Sequence, residues 1–514
     1  METFRMRVWI MAAALALAAT PAGAETVRAA VESGVLAGEA TDRARIFRSI
    51  PYAAPPVGPL RWAPPQAPQP WTGARPAVEA GPSCPQPMRE DGAPNAGGAN
   101  GPMSEDCLQL NVFAPLAKPD AKPAPVMVWI HGGSHRTGAG WVYDGQNFAR
   151  DGVVLVAINY RLGPLGYFAH PALTKAALSM KGGAKAPLGS YGLMDQIAAL
   201  KWVQRNIAAF GGDPNNVTVF GESAGGMSTL ALLAAPDAKG LFHKAIIQSG
   251  GGWFEPGSLA GQEKVGVAAA EKLGLPAKAT VAQLRAVSAE TLIAQIDGDF
   301  GPFPDGRLLP RTATQAFAAD AEIDVPMIIG WNNGEDSLLG GPGGGARFAA
   351  SLPPMARSFY EEAAAEGDEA LGRAVFTDRV FGAPARWIAG QAADGAPVFL
   401  YHFSYVGDRF RRMLTRAHHA AEIQYVFEYW GRRTPDSVVS DEDRAMATLM
   451  HGCWVAFARA GAPACDDQAW PAYDPVSDQL LEFGSETGVR QGFSRRQFDV
   501  LEQFTLPTLA LPAP

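Results

Sequence analysis

The chain has 514 residues, with 43 Lys and Arg against 51 Asp and Glu and a formal net charge of −8. That balance argues against a nucleic-acid binder, which carries a basic stripe and a high pI. Its 47% apolar content is ample for a large core.

The first segment reads as a secretory leader rather than as part of the fold. Arg5 and Arg7 form a positive start, Val8 to Ala19 an apolar run, and Ala22-Gly23-Ala24 a small-residue cleavage site. The apolar run is shorter than the roughly 20 residues that span a bilayer. The expectation is a signal peptide over 1–24 and a soluble mature chain, 25–514, that is periplasmic or secreted. Four cysteines, Cys84, Cys107, Cys453 and Cys465, suit an oxidising compartment. Two local bridges, Cys84–Cys107 and Cys453–Cys465, are the economical pairing. No C-x-x-C spacing is present, so zinc is not expected.

Pro85 to Asp106 is rich in Gly, Pro, Asn and Ala and has no aromatic residue; it reads as a loop held at its base by Cys84 and Cys107. Six apolar runs follow: Pro125–His131, Val153–Tyr160, Asn216–Gly221, Lys244–Gly250, Val325–Gly330 and Pro397–Phe403. They are continuous rather than alternating, which is the pattern of strands covered on both faces in a mostly parallel sheet. Between the second and third, Leu193, Ile197, Leu200, Val203 and Ile207 fall on one helical stripe, and Gly211-Gly212 stops it. Alternation of strand and helix predicts α/β architecture. No repeat or interdomain linker breaks the chain, so one large domain is expected.

The third run leads into Gly221-Glu222-Ser223-Ala224-Gly225, a G-x-S-x-G sequence placed between a strand and a helix. In that context it predicts a nucleophilic serine on a tight strand-to-helix turn. Larger side chains two residues either side would collide with neighbouring elements. A serine hydroxyl needs a base and oxyanion donors. The first run ends in His131-Gly132-Gly133-Ser134, whose glycines let backbone N–H groups approach a substrate. His131 and His135 lie four apart but in a glycine loop, so a metal pair is not expected. For the base, the doublet His418-His419 offers two residues that chemistry alone does not separate.

Several blocks in order resemble the type-B carboxylesterases, the family of para-nitrobenzyl esterases, liver carboxylesterases and cholinesterases. They include "FRSIPYAAPPVGPLRWAPP", "SEDCLQLNVFAP", "PVMVWIHGGS", "NYRLGPLGYF", "VFGESAGG" and "HHAAEIQYVFEYW". The resemblance implies an α/β-hydrolase fold and a Ser-Glu-His triad. Ser223 matches the serine, and Glu335 in "GWNNGEDS" matches the acid, with Asp336 as a minor rival. His419 matches the base, because the family's histidine stands three before a Glu-Ile that is Glu422-Ile423 here. The oxyanion donors map to the N–H groups of Gly133, Ser134 and Ala224. Cys84–Cys107 matches the family's first disulfide. Arg61 with Glu105 and Arg161 with Asp195 match structural ion pairs.

The expected reaction is two-step hydrolysis of a carboxylic ester through an acyl-enzyme, with no metal or cofactor. Activity should fall below the imidazole pKa, roughly 6–7. Choline esters are not expected, because the Cys84–Cys107 loop lacks the aromatic that would hold a quaternary ammonium. Arg136 and the cluster Arg409, Arg411, Arg412 and Arg416 read either as a solvated basic face or as recognition of a carboxylate-bearing ester. The competing readings are a non-catalytic binding member of the fold and a serine amidase or β-lactam hydrolase. Against the last, Gly226 stands where penicillin-recognising enzymes place a lysine.

Overall fold

The apolar runs in the middle of the chain build the centre of one sheet. A computed structural model describes residues 25–117, 122–179, 186–255, 257–431 and 434–511; the expected signal peptide lies outside them. Among these residues a 13-stranded sheet forms. Its strands are β1 (Glu25–Val31), β2 (Gly34–Ala40), β3 (Arg45–Pro51), β4 (Ala74–Pro76), β5 (Gln109–Ala114), β6 (Ala124–Ile130), β7 (Val154–Ile158), β8 (Gly212–Glu222), β9 (Lys244–Gln248), β10 (Met327–Asn332), β11 (Val398–Phe403), β12 (Gln479–Phe483) and β13 (Gly488–Gln491).

The spatial order is β1-β2-β3-β5-β7-β6-β8-β9-β10-β11-β12-β13, with β4 beside β2. Every pairing from β7 through β12 is parallel. Each of the six apolar runs is one of these strands, within a few residues at the ends. All residues of β7, β9, β10 and β11 are buried, as strands between two helical layers must be. One covering helix is Tyr191–Asn206, which carries the predicted stripe. The margins, β1 to β5 and β13, leave no such apolar run in the sequence; their pairings are antiparallel except for β4, which runs parallel to β2. β1 buries only Ala29 fully and β13 buries nothing fully, so neither carries an apolar run.

The strand order fixes where a site forms. From β6 the chain crosses to β7 on one side, then to β8 on the other. The loops leaving the carboxyl ends of β6 and β8 therefore part, and a crevice opens between them. Those loops are His131–Gly138 and the turn at Ser223.

Both expected disulfides are formed, Cys84–Cys107 and Cys453–Cys465. The first closes a loop that docks on the β6 loop: Gln86 donates to the Gly138 carbonyl at 2.8 Å and accepts from its N–H at 2.7 Å. Both expected ion pairs are also formed. Arg61 grips Glu105 with two guanidinium nitrogens. Arg161 meets Asp195 through Nε and Nη2, both at 2.8 Å, and its N–H adds a third bond. With both side chains buried, Asp195→Asn strands a guanidinium. It is expected to cost about 3–5 kcal/mol, seen as a lowered denaturant midpoint; an unchanged midpoint would remove the pair from the account of stability.

Candidate active site

Ser223 directly follows β8 and stands at the N-cap position of the helix Ala224–Leu233, with φ 56° and ψ −123°. A non-glycine residue held at positive φ is strained, and that strain concentrates at functional sites. The flanking glycines are steric necessities. A Cβ on Gly221 would lie 2.5 Å from the Gly225 carbonyl carbon, and one on Gly225 would lie 2.0 Å from the Ile130 oxygen. Both obstacles are backbone, so no rotamer change relieves them. The sequence motif is thus the imprint of three elements converging under one serine.

The β6 loop packs against this turn. A Cβ on Gly132 would sit 3.1 Å from the Ser223 Cβ. Gly133 adopts φ 99° and Ser134 φ 55°. Ser134, Ser223 and Ala224 line one cavity of about 870 Å³. Ala224 opens its helix, so its N–H has no intrahelical acceptor. His131 and His135 hold the loop from below. Tyr160 donates to the His131 carbonyl at 2.7 Å, and His135 pairs with Ser228 Oγ at 2.9 Å. Burial pushes both imidazoles down to about 4, so they stay neutral scaffold.

Glu335 follows β10 and is fully buried. One carboxylate oxygen accepts from Ser249 Oγ at 2.6 Å and from the Asn332 N–H at 2.8 Å; the other bonds His419 Nδ1. Asp336 turns the other way, to Arg416 at 2.9 Å and Arg373 at 3.4 Å. The doublet separates as well. His419 is anchored by its N–H on Ser337 Oγ at 2.9 Å, while the His418 ring bonds the His419 carbonyl at 2.7 Å and faces Phe410.

His419 Nε2 lies 3.0 Å from Glu222 Oε1, on the residue preceding Ser223, and makes no hydrogen bond among the described residues. Among the described residues the ring thus meets the serine turn at Glu222 rather than at Ser223 Oγ, and catalytic bonds that are long without substrate tighten when it binds. Glu222 went unnoticed in the sequence because it occupies the variable position of G-x-S-x-G. Glu422, used there only to set register, is buried beside it. Its carboxylate takes hydrogen bonds from Gln248 and Asn332. Three buried carboxylates, Glu222, Glu335 and Glu422, therefore cluster around one imidazole. Burial pushes the Glu222 carboxyl up to about 8, against the pull of His419. Burial alone would lower His419, but Glu222 and Glu335 outweigh it and raise it to about 10. Both groups move upward, so the pair retains a proton above the ordinary imidazole range.

Of the arginines noted in the sequence, Arg136 lines the cavity, tied to Asp297 at 3.0 Å. Arg416 pairs with Asp336, Arg411 with Glu442, and Arg409 lies over Phe410; none of these, nor Arg412, lines it. The Cys84–Cys107 loop contributes no lining residue either. No helix among the described residues is long and apolar enough to cross a membrane.

The carboxylesterase family model matches residues 25–341 and 356–501. The chain is 36% identical over 471 residues to the para-nitrobenzyl esterase of Bacillus subtilis, covering 86% of this chain and 91% of that one. It is 34% identical to the fumonisin B1 esterase of Sphingopyxis macrogoltabida, over 90% and 87% of the two chains. With the human cocaine esterase it shares 33% identity over 86% and 84%. Solved structures of a PNB esterase and of the Geobacillus stearothermophilus carboxylesterase superpose with TM-scores of 0.79 and 0.78, at 32% and 33% identity. Each match covers 92% of this chain and 99% of the other. With this sheet order and serine turn, the chain belongs to the carboxylesterase family and is a carboxylic ester hydrolase with an α/β-hydrolase fold.

Proposed function

We propose that the chain hydrolyses carboxylic esters through an acyl-enzyme on Ser223, with His419 as base and Glu335 as its orienting acid. The carrying observation is the strained Ser223 lining the cavity, one residue from the carboxylate that contacts His419 Nε2, while Nδ1 of that ring is held by Glu335. His419 takes the serine proton as Oγ attacks the ester carbonyl. The N–H groups of Gly133, Ser134 and Ala224 receive the oxyanion, each worth roughly 3–4 kcal/mol in the transition state. The imidazolium then protonates the leaving alcohol, and water repeats the sequence to release the acid. Glu335, already bonded by Ser249 and Asn332, fixes the tautomer with its remaining oxygen. No step calls for a metal or cofactor. Export to a periplasm or beyond fits the two bridges and the leader-like N-terminus.

The experiment is organophosphate labelling with peptide mapping, alongside turnover of p-nitrophenyl butyrate. Label on Ser223 with loss of turnover is expected. Label elsewhere, or turnover that survives full labelling, would overturn the assignment.

The carboxylate cluster also shifts the expected pH dependence. The base works only when the Glu222–His419 pair has released its proton, so activity rises with pH along an acid limb. An anion beside an imidazole stabilises the imidazolium and raises its pKa. The limb should therefore lie above the ordinary imidazole value. Glu222→Gln removes that anion and is expected to move the limb of kcat/KM to lower pH by about 1–3 units. A limb that stays where it was would mean that Glu222 does not govern the base.

A further inference from the structure

The cavity above Ser223 has two arms of different chemistry. One, toward Trp253, Phe254, Phe300 and Phe303, is aromatic and continues into an adjoining space of about 420 Å³. Glu255 and Asp299, both exposed, stand where the two spaces join. The other arm is walled by the helix Ala346–Ser351 and by a single π-helical turn, Asp378–Gly382, between the helices Asp368–Thr377 and Ala383–Gln391. Such turns are frequent at functional sites. This one brings three consecutive residues, Arg379, Val380 and Phe381, to the cavity, where a regular helix would aim them apart. The Phe381 ring lies 5.5 Å from that of His419, so this arm runs on the imidazole side of the serine.

Arg347 and Arg379 both line this arm. Arg379 Nη1 bonds Ser351 Oγ at 3.2 Å, and Ser351 stands four residues after Arg347 on the same helical face. Both side chains therefore belong to the same wall of the cavity. Neither forms an ion pair among the described residues, and Arg347 rests over the Phe348 ring. Their neighbours behave otherwise: Arg136 is matched by Asp297, Arg373 by Glu369 and Asp336, and Arg416 by Asp336. Asp378, next to Arg379, is occupied by the Tyr360 hydroxyl at 2.9 Å. Two unmatched guanidiniums on the wall of an ester-hydrolase cavity are a ready fork for a planar anion.

We propose that Arg347 and Arg379 bind a free carboxylate on the substrate, so that the preferred substrates are carboxylic esters carrying a second, ionised carboxyl group. This rests on the ester-hydrolase reading and adds the substrate class. The aromatic arm would take the apolar remainder.

The test compares kcat/KM for two matched pairs at low salt. Monoethyl glutarate against diethyl glutarate puts the charge on the acyl side, and 3-acetoxypropanoate against its methyl ester puts it on the alcohol side. The wild-type protein is expected to favour the charged ester in at least one pair, less so as NaCl screens the attraction. Arg379→Gln, and Arg347→Gln likewise, should lower that pair's charged-to-neutral ratio by about tenfold, with Arg379→Lys recovering part of it. Turnover of the neutral ester by each variant reports that it is folded. Preference for the neutral ester in both pairs, or equal losses on charged and neutral esters, overturns the proposal while leaving ester hydrolysis intact. No turnover of any ester by the wild-type protein overturns the underlying reading instead.

Discussion

Ser223→Ala is expected to lower kcat on p-nitrophenyl butyrate by about 10⁵- to 10⁶-fold, with organophosphate labelling lost in parallel. Other hydroxyls border the cavity, among them Ser134, Ser249 and Ser351, so the prediction is specific. Ser249 spends its proton on Glu335, and Ser351 is bonded to Arg379 and to the Phe348 carbonyl. Ser223 alone stands between the helix N-terminus and the carboxylate touching His419. Its side chain makes no capping hydrogen bond, so removing the hydroxyl should leave stability within about 0.5 kcal/mol. A folded variant that keeps more than a trace of turnover would refute the nucleophile, and with it the acyl-enzyme. A wild-type chain that binds esters without turning them over would favour the non-catalytic reading.

What the sequence made legible follows from what each interaction leaves in the chain. Central strands buried on both faces must be apolar throughout, so β6 to β11 were visible as runs. The serine turn leaves no room for a Cβ at Gly221 or Gly225, so it writes itself as a motif. Marginal strands such as β1 pair through backbone atoms and bury few side chains; backbone pairing leaves little trace in composition. The carboxylate cluster was hidden for another reason. Glu222, Glu335 and Glu422 come from three segments more than eighty residues apart in the chain, and only the sheet order brings them together. Its consequence, an imidazole and a Glu222 carboxyl both pushed upward, places the expected acid limb above the ordinary imidazole value that the sequence suggests. Arg347 and Arg379 are silent for the same reason: what marks them is the lack of an acid partner among the described residues, which is a property of the fold. Arg409, Arg411, Arg412 and Arg416, dense in sequence, lie away from the cavity.

The histidine doublet carries the second large effect. His419→Ala is expected to lower kcat by about 10⁴- to 10⁶-fold, whereas His418→Ala should stay within about fivefold of wild type. The asymmetry comes from direction. His419 projects between Glu335 and Glu222, while the ring of His418 folds back on the His419 carbonyl and lines a minor groove with Tyr405, Phe410 and Tyr425. The structural duty of His418 is carried by its backbone. Its carbonyl accepts from Asn332 at 3.0 Å and its residue bridges Gly334, and both survive truncation to alanine. The stronger test is the double variant. Residues that act as one unit lose their effect together, so Ser223→Ala combined with His419→Ala should be no slower than the worse single variant, within about tenfold. Multiplying losses would mean that the two act in separate steps. In that case the imidazole would be tuning the carboxylate cluster rather than taking the serine's proton.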